Sequence, residues 1–259
     1  MSSLDKMLSL LDVFTPAAPV WSTDDLIRYT GVPTSTCYRY IKSLHTAGFL
    51  ARVGNGSYAL GPRVLEMDRT MRLCDPIYIA GSPVIRELTS ETGHSALLCI
   101  LFSDSVMCVQ DTLGQHAPAQ LFSRGQRRPL VAGASAKIIL AYLPPHQLRA
   151  LYAKHRKAIA AVGLGADWDR FRQSIKQIRQ AGFVMTAGEY NPGVLSIAAP
   201  LFNRSGEVLG SLALTASSEY VDAAQFRTLA DRVVQAGRAV SARIATVSNA
   251  VDLPARAVG

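Results

Sequence analysis

The stretch GVPTSTCYRYIKSLHTAGFL, residues 31–50, sets three hydroxyl side chains, Thr34, Ser35 and Thr36, just ahead of Tyr38, Arg39 and Lys42. Hydroxyls and main-chain amides donate to phosphate oxygens, and a guanidinium can place two parallel hydrogen bonds on a guanine edge. This order of side chains therefore suits contact with a polyanion. From Leu26 to Leu65 the bases are Arg28, Arg39, Lys42, Arg52 and Arg63, with no Asp or Glu, while Asp24 and Asp25 stand just before that window and Glu66 just after it. A solvated basic face would supply part of this asymmetry. A polyanionic partner explains it better.

The elements around this stretch must hold it in place. Leu4, Met7, Leu8, Leu11 and Phe14 recur at helical steps and predict one amphipathic helix ending near Thr15 and Pro16. Ser22 or Thr23 can cap a second helix whose first turn carries Asp24 and Asp25, with Gly31 supplying the turn after it. Pro33 suits the first position of a third helix, with Cys37, Ile41, Leu44 and Gly48 on its inner face and Ser35, Tyr38, Arg39 and Lys42 on its outer face. FLARV and SYAL flank Gly54, Asn55 and Gly56, the pattern of a hairpin. The succession is that of a winged helix-turn-helix. In such a motif the N-terminal end of the second motif helix enters the major groove. Thr34, Ser35, Thr36, Tyr38 and Lys42 are expected on phosphates, Arg39 on a base edge, and Arg52 and Asn55 on the flanking backbone. The expected duplex is pseudo-palindromic and bound by a dimer. The competing readings are a winged helix that contacts another protein and, behind it, an enzyme on an α+β scaffold.

At 259 residues, with 49% hydrophobic and 18% charged residues, the chain suits two globular domains. Net charge is +8, which permits a nucleic-acid partner. The start of the chain lacks a basic leader with a cleavage site, and no run of about 18 apolar residues occurs, so a soluble cytoplasmic protein with no membrane contact is expected. Cys37, Cys74, Cys99 and Cys108 form no CxxC pair and sit among apolar neighbours, so reduced, buried thiols are expected. The histidines never fall at i, i+4 or in HExxH, and neither metal nor cofactor is expected. Ser135 and Lys137 are spaced S-x-K rather than S-x-x-K and GxSxG is missing, so no catalytic residue is expected. The small residues of VAGASAK would leave amides at a helix start open to an anion. They fit equally well a helix end packed against a strand.

Beyond the wing, Val64, Leu65, Met67 and Met71 predict a linker helix from about Pro62 to Leu73, and Ile77, Ile79, Val84, Ile85 and Leu88 a second helix closing at Gly93. SALLCILF and VMCVQDTL predict one hairpin, and VLSIAAPLF and VLGSLALT another across Asn203–Gly206. Helices are expected on both sides of Pro144 and Pro145, in ADWDRFRQSIKQIRQAGF with Trp168, Phe171, Ile175 and Ile178 on one face, and from about Asp222 to Thr246. The fold class is α+β on an antiparallel sheet. The expected divisions are 1–61 for the winged helix, 62–75 for the linker helix and 76–248 for the second domain.

GVPTSTCYRYIKSLHTAGFLARVGNGSYALGPRVLEM, RRPLVAGASAKIILAYLPP and IRQAGFVMTAGEYNPGVLSIAAPLFNRSGEVLGSLAL, in this order and at these separations, resemble the IclR family of bacterial transcriptional regulators over nearly the whole chain. The resemblance implies a GAF-like C-terminal domain that binds a small-molecule effector and oligomerises, with dimers through the DNA-binding domains and often a dimer of dimers. Carried over by position, it implies effector contacts at Ala134 and Ser135 on a helix start, at Thr186, Ser196, Ala213 and Thr215 on strands, and at Leu121 and Phe122 in a covering loop. The chain departs from the family pattern where Asp is frequent (Thr186), where Cys is (Ser196), where Ser is (Ala213), where His is (Val131) and where Gly is (Ala136). These changes make the implied pocket less acidic and in places less polar, so the expected effector is an organic acid with a more apolar or aromatic body.

Overall fold

A computed structural model describes residues 2–247, which form two compact units, one ending at Cys74 and the other starting at Asp75. In the first, α1 (Ser3–Ser9), β1 (Trp21–Ser22), α2 (Thr23–Thr30), α3 (Thr34–Thr46), β2 (Leu50–Arg52), β3 (Ser57–Leu60) and α4 (Arg63–Cys74) follow in order. Ser22 caps α2 by accepting from the Asp25 amide, and Gly31 ends it at φ 60°, a conformation glycine adopts without penalty. Leu10, Leu26, Cys37, Ile41, Leu44, Leu50 and Tyr58 form the core beneath α3.

Several details differ from the sequence reading. Helix α1 stops at Ser9 and the chain continues in turns, so Leu10 and Val13 are buried while Leu4 and Leu8 face solvent. Pro33 precedes α3 as its N-cap, with ψ 141°, instead of opening the helix. Tyr40 turns inward, where its hydroxyl meets Ser3 Oγ at 2.8 Å. A third strand, β1, joins the wing by pairing with β3, and at two residues it is too short to leave a periodic signal. Helix α4 buries no residue; Leu65 and Leu73 are each 72% exposed. Cys74, expected buried, is exposed at its end.

The second unit is built on a six-stranded antiparallel sheet in the order β6-β5-β4-β9-β8-β7. Its strands are β4 (Ser95–Phe102), β5 (Ser105–Thr112), β6 (Arg127–Pro129), β7 (Val184–Ala187), β8 (Val194–Phe202) and β9 (Val208–Ser217). Helices α5 (Pro76–Thr92), α9 (Ala223–Arg227) and α10 (Ala230–Val247) cover one face, where Ile85, Leu98, Ile197, Leu214 and Phe226 are buried. Helices α6 (Ala134–Ala141), α7 (Pro145–Ala161) and α8 (Trp168–Ala181) cover the other, over Leu97, Cys99, Cys108, Ile138 and Phe171. The terminal helix is two helices, with Thr228 and Leu229 between them, and the expected domain end at 248 lies outside the described residues. Ile79 on α5 is exposed rather than buried. Strands β6 and β7, of three and four residues, are further short pieces that periodicity did not reveal. Cys99 and Cys108 face each other across β4 and β5; their hydrogen bond and their burial push the Cys108 thiol well up, which keeps it protonated and unreactive.

Gly61 fixes how the linker helix leaves the wing. Its amide donates to Phe49 O at 2.7 Å, and a Cβ there would sit 2.1 Å from Gly48 O, so only glycine fits without a backbone shift. Gly61→Ala is expected to cost the first unit about 1–3 kcal/mol, the usual range for forced overpacking. Scanning calorimetry of the whole protein will show the transition of the first unit lowered by several degrees and that of the second unchanged.

Candidate functional site

The outer face of α3 carries Thr34, Ser35, Tyr38, Arg39 and Lys42 in solvent, with Thr36 half-buried. Tyr38 is 53% exposed, while the next aromatic, Tyr40, is in the core. Pro33 provides no side-chain cap, so the first amides of α3 remain open to an external acceptor. The basic window sorts into two groups. Arg28 pairs with Asp25 and Arg63 with Glu66, whereas Arg39, Lys42 and Arg52 have no acidic partner among the described residues. Hydrogen bonds from Ser22 and Arg28 hold the Asp25 carboxyl below the usual carboxylate range, which keeps it charged and engaged. Arg52 and Asn55 are exposed on the wing, whose tip is tied to α2 by Thr23 Oγ1 donating to Gly56 O at 2.8 Å.

In the second unit a small cavity opens beside the start of α6. It is lined by Leu97, Val106 and Val194, by Phe122 and Tyr190, by Ala134 and Ser135, and by Thr186, Ser196 and Thr215. Its polar wall follows from strand register. Thr186 is opposite Ser196 and Ser196 is opposite Thr215, so the three hydroxyl residues make one row across β7, β8 and β9. Ser196 Oγ and Thr215 Oγ1 are 3.1 Å apart. Two expected contacts lie elsewhere. Ala213 is 1% exposed in the core, one pleat further along β9, and Leu121 lines a shallow outer hollow rather than the cavity.

The charged parts of this site left little signal in the sequence. Lys137, 6% exposed on α6, donates to Val162 O at 3.1 Å and ion-pairs with Glu189 from the β7–β8 connection. The second Glu189 oxygen accepts from the Gly133 amide at 3.1 Å, so a carboxylate of the protein itself occupies the edge of the α6 N-terminus. Tyr190 lies against the Arg128 guanidinium at 4.1 Å, and Asn191 Nδ2 donates to Gln120 O at 2.6 Å. Gly188 at φ 65° and Gly193 at φ 75° bracket this segment, and with Asn191 and Pro192 between them they are the sequence hint that a tight excursion falls here. With the segment in place the cavity holds about 40 Å³, space for a few water molecules.

The comparisons agree on one lineage. Residues 75–242 match the family model described as Bacterial transcriptional regulator IclR C-terminal, and residues 3–54 match the IclR helix-turn-helix domain. The chain belongs to the IclR family. It is 27% identical to the HTH-type transcriptional regulator KipR of Bacillus subtilis over 241 residues, covering 92% of this chain and 95% of that one. A crystallised protein of Silicibacter sp. TM1040, assigned to the IclR regulators, superposes with a TM-score of 0.77 at 28% identity, covering 94% and 96% of the two chains. An IclR homolog of Microbacterium hydrocarbonoxydans, solved in complex with 4-hydroxybenzoate, has the same fold, with a TM-score of 0.73, 20% identity and coverage of 96% and 100%. These IclR regulators share the helix-turn-helix unit and the curled antiparallel sheet, and among the described residues no helix is long and apolar enough to cross a membrane.

The free bases of α3 lead to a test of base reading. Arg39→Ala is expected to weaken binding to a specific operator by about 1–3 kcal/mol and to relax base preference, while Lys42→Ala weakens all sequences alike. Anisotropy titrations against operator and random duplex measure both. Equal losses on the two duplexes in Arg39→Ala would remove its base-reading role.

Proposed function

We propose that this IclR-family regulator binds a pseudo-palindromic operator as a homodimer and changes that affinity when an organic acid enters the cavity beside α6. The observation that carries the reading is that the Thr186, Ser196 and Thr215 hydroxyls and the uncapped start of α6 at Ala134 and Ser135 line one cavity. Those groups are hydrogen-bond donors, they are grouped, and the rest of the wall is largely apolar, the usual make-up of a small-ligand pocket. The relative that holds 4-hydroxybenzoate contributes the fold at 20% identity; the ligand class rests on this chain's own side chains.

The carboxylate is placed on the amides of Ala134 and Ser135 and on the hydroxyls of Ser196 and Thr215, with Thr186 at the end of the row. Phe122 and the aliphatic wall receive the body of the acid. Leu121 serves the outer approach, and Ala213 supports the wall from behind. The role is binding without catalysis, carried out in the cytoplasm with the chromosome. On α3, Thr34, Ser35, Thr36, Tyr38 and Lys42 hold phosphates and Arg39 reads a base, with Arg52 and Asn55 of the wing on flanking phosphates. Dimerisation through the first unit is supported by the apolar residues that α1 and α4 leave in solvent. Val64, Met67 and Met71 fall at i, i+3 and i+7 along α4 and are 39%, 50% and 45% exposed, which is the spacing of a helix seam. Pairing through the second units into a dimer of dimers completes the proposed assembly, and the proposed divisions remain 1–61, 62–75 and 76–248.

Ser196→Ala removes one donor from the proposed carboxylate site, a contribution of about 1.5–3 kcal/mol for a hydrogen bond to a charged ligand. Effector binding is expected to weaken by about tenfold or more, which corresponds to roughly 1.4 kcal/mol, with effector-free operator affinity nearly unchanged. Calorimetric titration and operator anisotropy on the same preparation decide it. An equal fall in operator affinity without ligand would make Ser196 a folding residue.

A further inference from the structure

Arg128 is the sole basic side chain on the cavity wall among the described residues, and it also borders the outer hollow formed by Leu113, Pro118, Gln120 and Leu121. It sits on the edge strand β6 opposite Val106, itself a wall residue. Two rings fix its position: the guanidinium carbon is 4.4 Å from the Phe122 ring centroid and 4.1 Å from that of Tyr190. Such contacts orient a guanidinium and supplement its desolvated charge, but they provide no acceptor for its N–H donors. Among the described residues no acid lies within ion-pair distance of Arg128 and no carbonyl or hydroxyl accepts from it. The other half-buried arginine of this unit differs: Arg124 donates to Val109 O. Burial works against the Arg128 charge and lowers its pKa, though an arginine remains cationic throughout the physiological range.

The charges around the cavity do not balance. Among the described residues Glu189 is the sole acid on the wall, and it is already committed to Lys137 and to the Gly133 amide. A carboxylate held on the α6 amides and the hydroxyl row would leave the Arg128 fork, in the same cavity, without a partner.

We propose that Arg128 is a specificity-determining residue that takes a second acidic group of the effector, so that the ligand of this pocket is a dicarboxylic acid. One carboxylate lies on the Ala134 and Ser135 amides with Ser196 and Thr215. The other accepts two parallel hydrogen bonds from Arg128, whose planar fork matches carboxylate geometry. This rests on the reading of the cavity as the effector site.

The experiment compares matched acids, valerate with glutarate and benzoate with isophthalate and terephthalate, by thermal shift and calorimetric titration of the full chain and of Arg128→Gln, Arg128→Lys and Ser196→Ala. In the unsubstituted protein the diacid of at least one pair is expected to bind at least tenfold more tightly than its monoacid. Arg128→Gln will bring the two within about twofold by weakening the diacid alone, and Arg128→Lys, which retains the charge without the fork, will fall between. The inference is overturned if monoacids bind as well as their diacids, or if the preference persists in Arg128→Gln with an unchanged thermal midpoint. Monoacid binding that is lost in Ser196→Ala but indifferent to Arg128 would leave the pocket standing and remove this inference alone. Failure of every acid to bind the unsubstituted protein would remove the acidic-effector reading together with it.

Discussion

A buried ammonium group organises the second unit. Lys137 lies on a helix most of whose residues, Ile138, Ile139, Leu140 and Ala141 among them, are inside the protein, and its own exposure is only 6%. A cation there is costly unless it is paired and its donors are used. Glu189 supplies the charge and Val162 O a further acceptor, so one lysine ties together the start of α6, the end of α7 and the β7–β8 connection. Tyr190 and Asn191, next along the chain from this ion pair, line the cavity with it. The same carboxylate sits at the positive end of α6, so its attraction to the lysine and to the helix dipole act in one direction.

Helix capping separates structural helix ends from those left for use. Ser2, Ser22, Asp75, Asp167 and Asp222 each accept from the first turn of their helix, which satisfies an orphan amide internally. Helices α3 and α6 begin on Pro33 and Gly133, which have no side-chain acceptor. The start of α7 on Pro144 is likewise uncapped, so a missing cap alone assigns nothing. What distinguishes α3 is the free basic side chains one turn further on, and what distinguishes α6 is the hydroxyl row that lines the same cavity. In both places the first-turn amides are oriented before any partner arrives, although at α6 the Gly133 amide is already held by Glu189.

Much of this was legible because it depends on local rules. Gly31 and Gly93 end helices in the left-handed region, Ser22 starts one, and the inner residues Cys37, Ile41 and Leu44 follow helical spacing. The hydroxyl row is a consequence of register, and its members were found only through resemblance to a family, because pairing partners far apart in sequence leave no local mark. The two-, three- and four-residue strands β1, β6 and β7 are too short to show alternation. Leu4 and Leu8 have helical spacing but point outward, since spacing identifies a stripe without saying what covers it. Glu189 and Arg128 were missed for a different reason. Each reads as an ordinary surface charge until tertiary structure brings Lys137 beside one and two aromatic rings beside the other.

The closed cavity also constrains how a ligand can gain affinity. At about 40 Å³ it cannot admit an organic acid while residues 188–193 keep their positions, because ligand pockets are roughly ten times larger. Entry must therefore release some of three contacts: the Asn191 amide on Gln120 O, Tyr190 on Arg128, and Glu189 on Lys137. Those contacts are unequal. An exposed amide hydrogen bond exchanges readily with water, whereas freeing Lys137 would leave a buried cation unpaired at a cost of several kcal/mol. The segment is therefore expected to open from its Tyr190 and Asn191 side, with the glycines at 188 and 193 absorbing the change and Glu189 remaining as the anchor. Opening on that side uncovers Arg128, so the first charged group an entering acid meets is a guanidinium that has just lost one of its rings. An apolar ligand would strip water from that charge without replacing its hydrogen bonds. A carboxylate replaces them with charge-assisted ones, and selectivity for acids thus follows from which side of the closure is weakest.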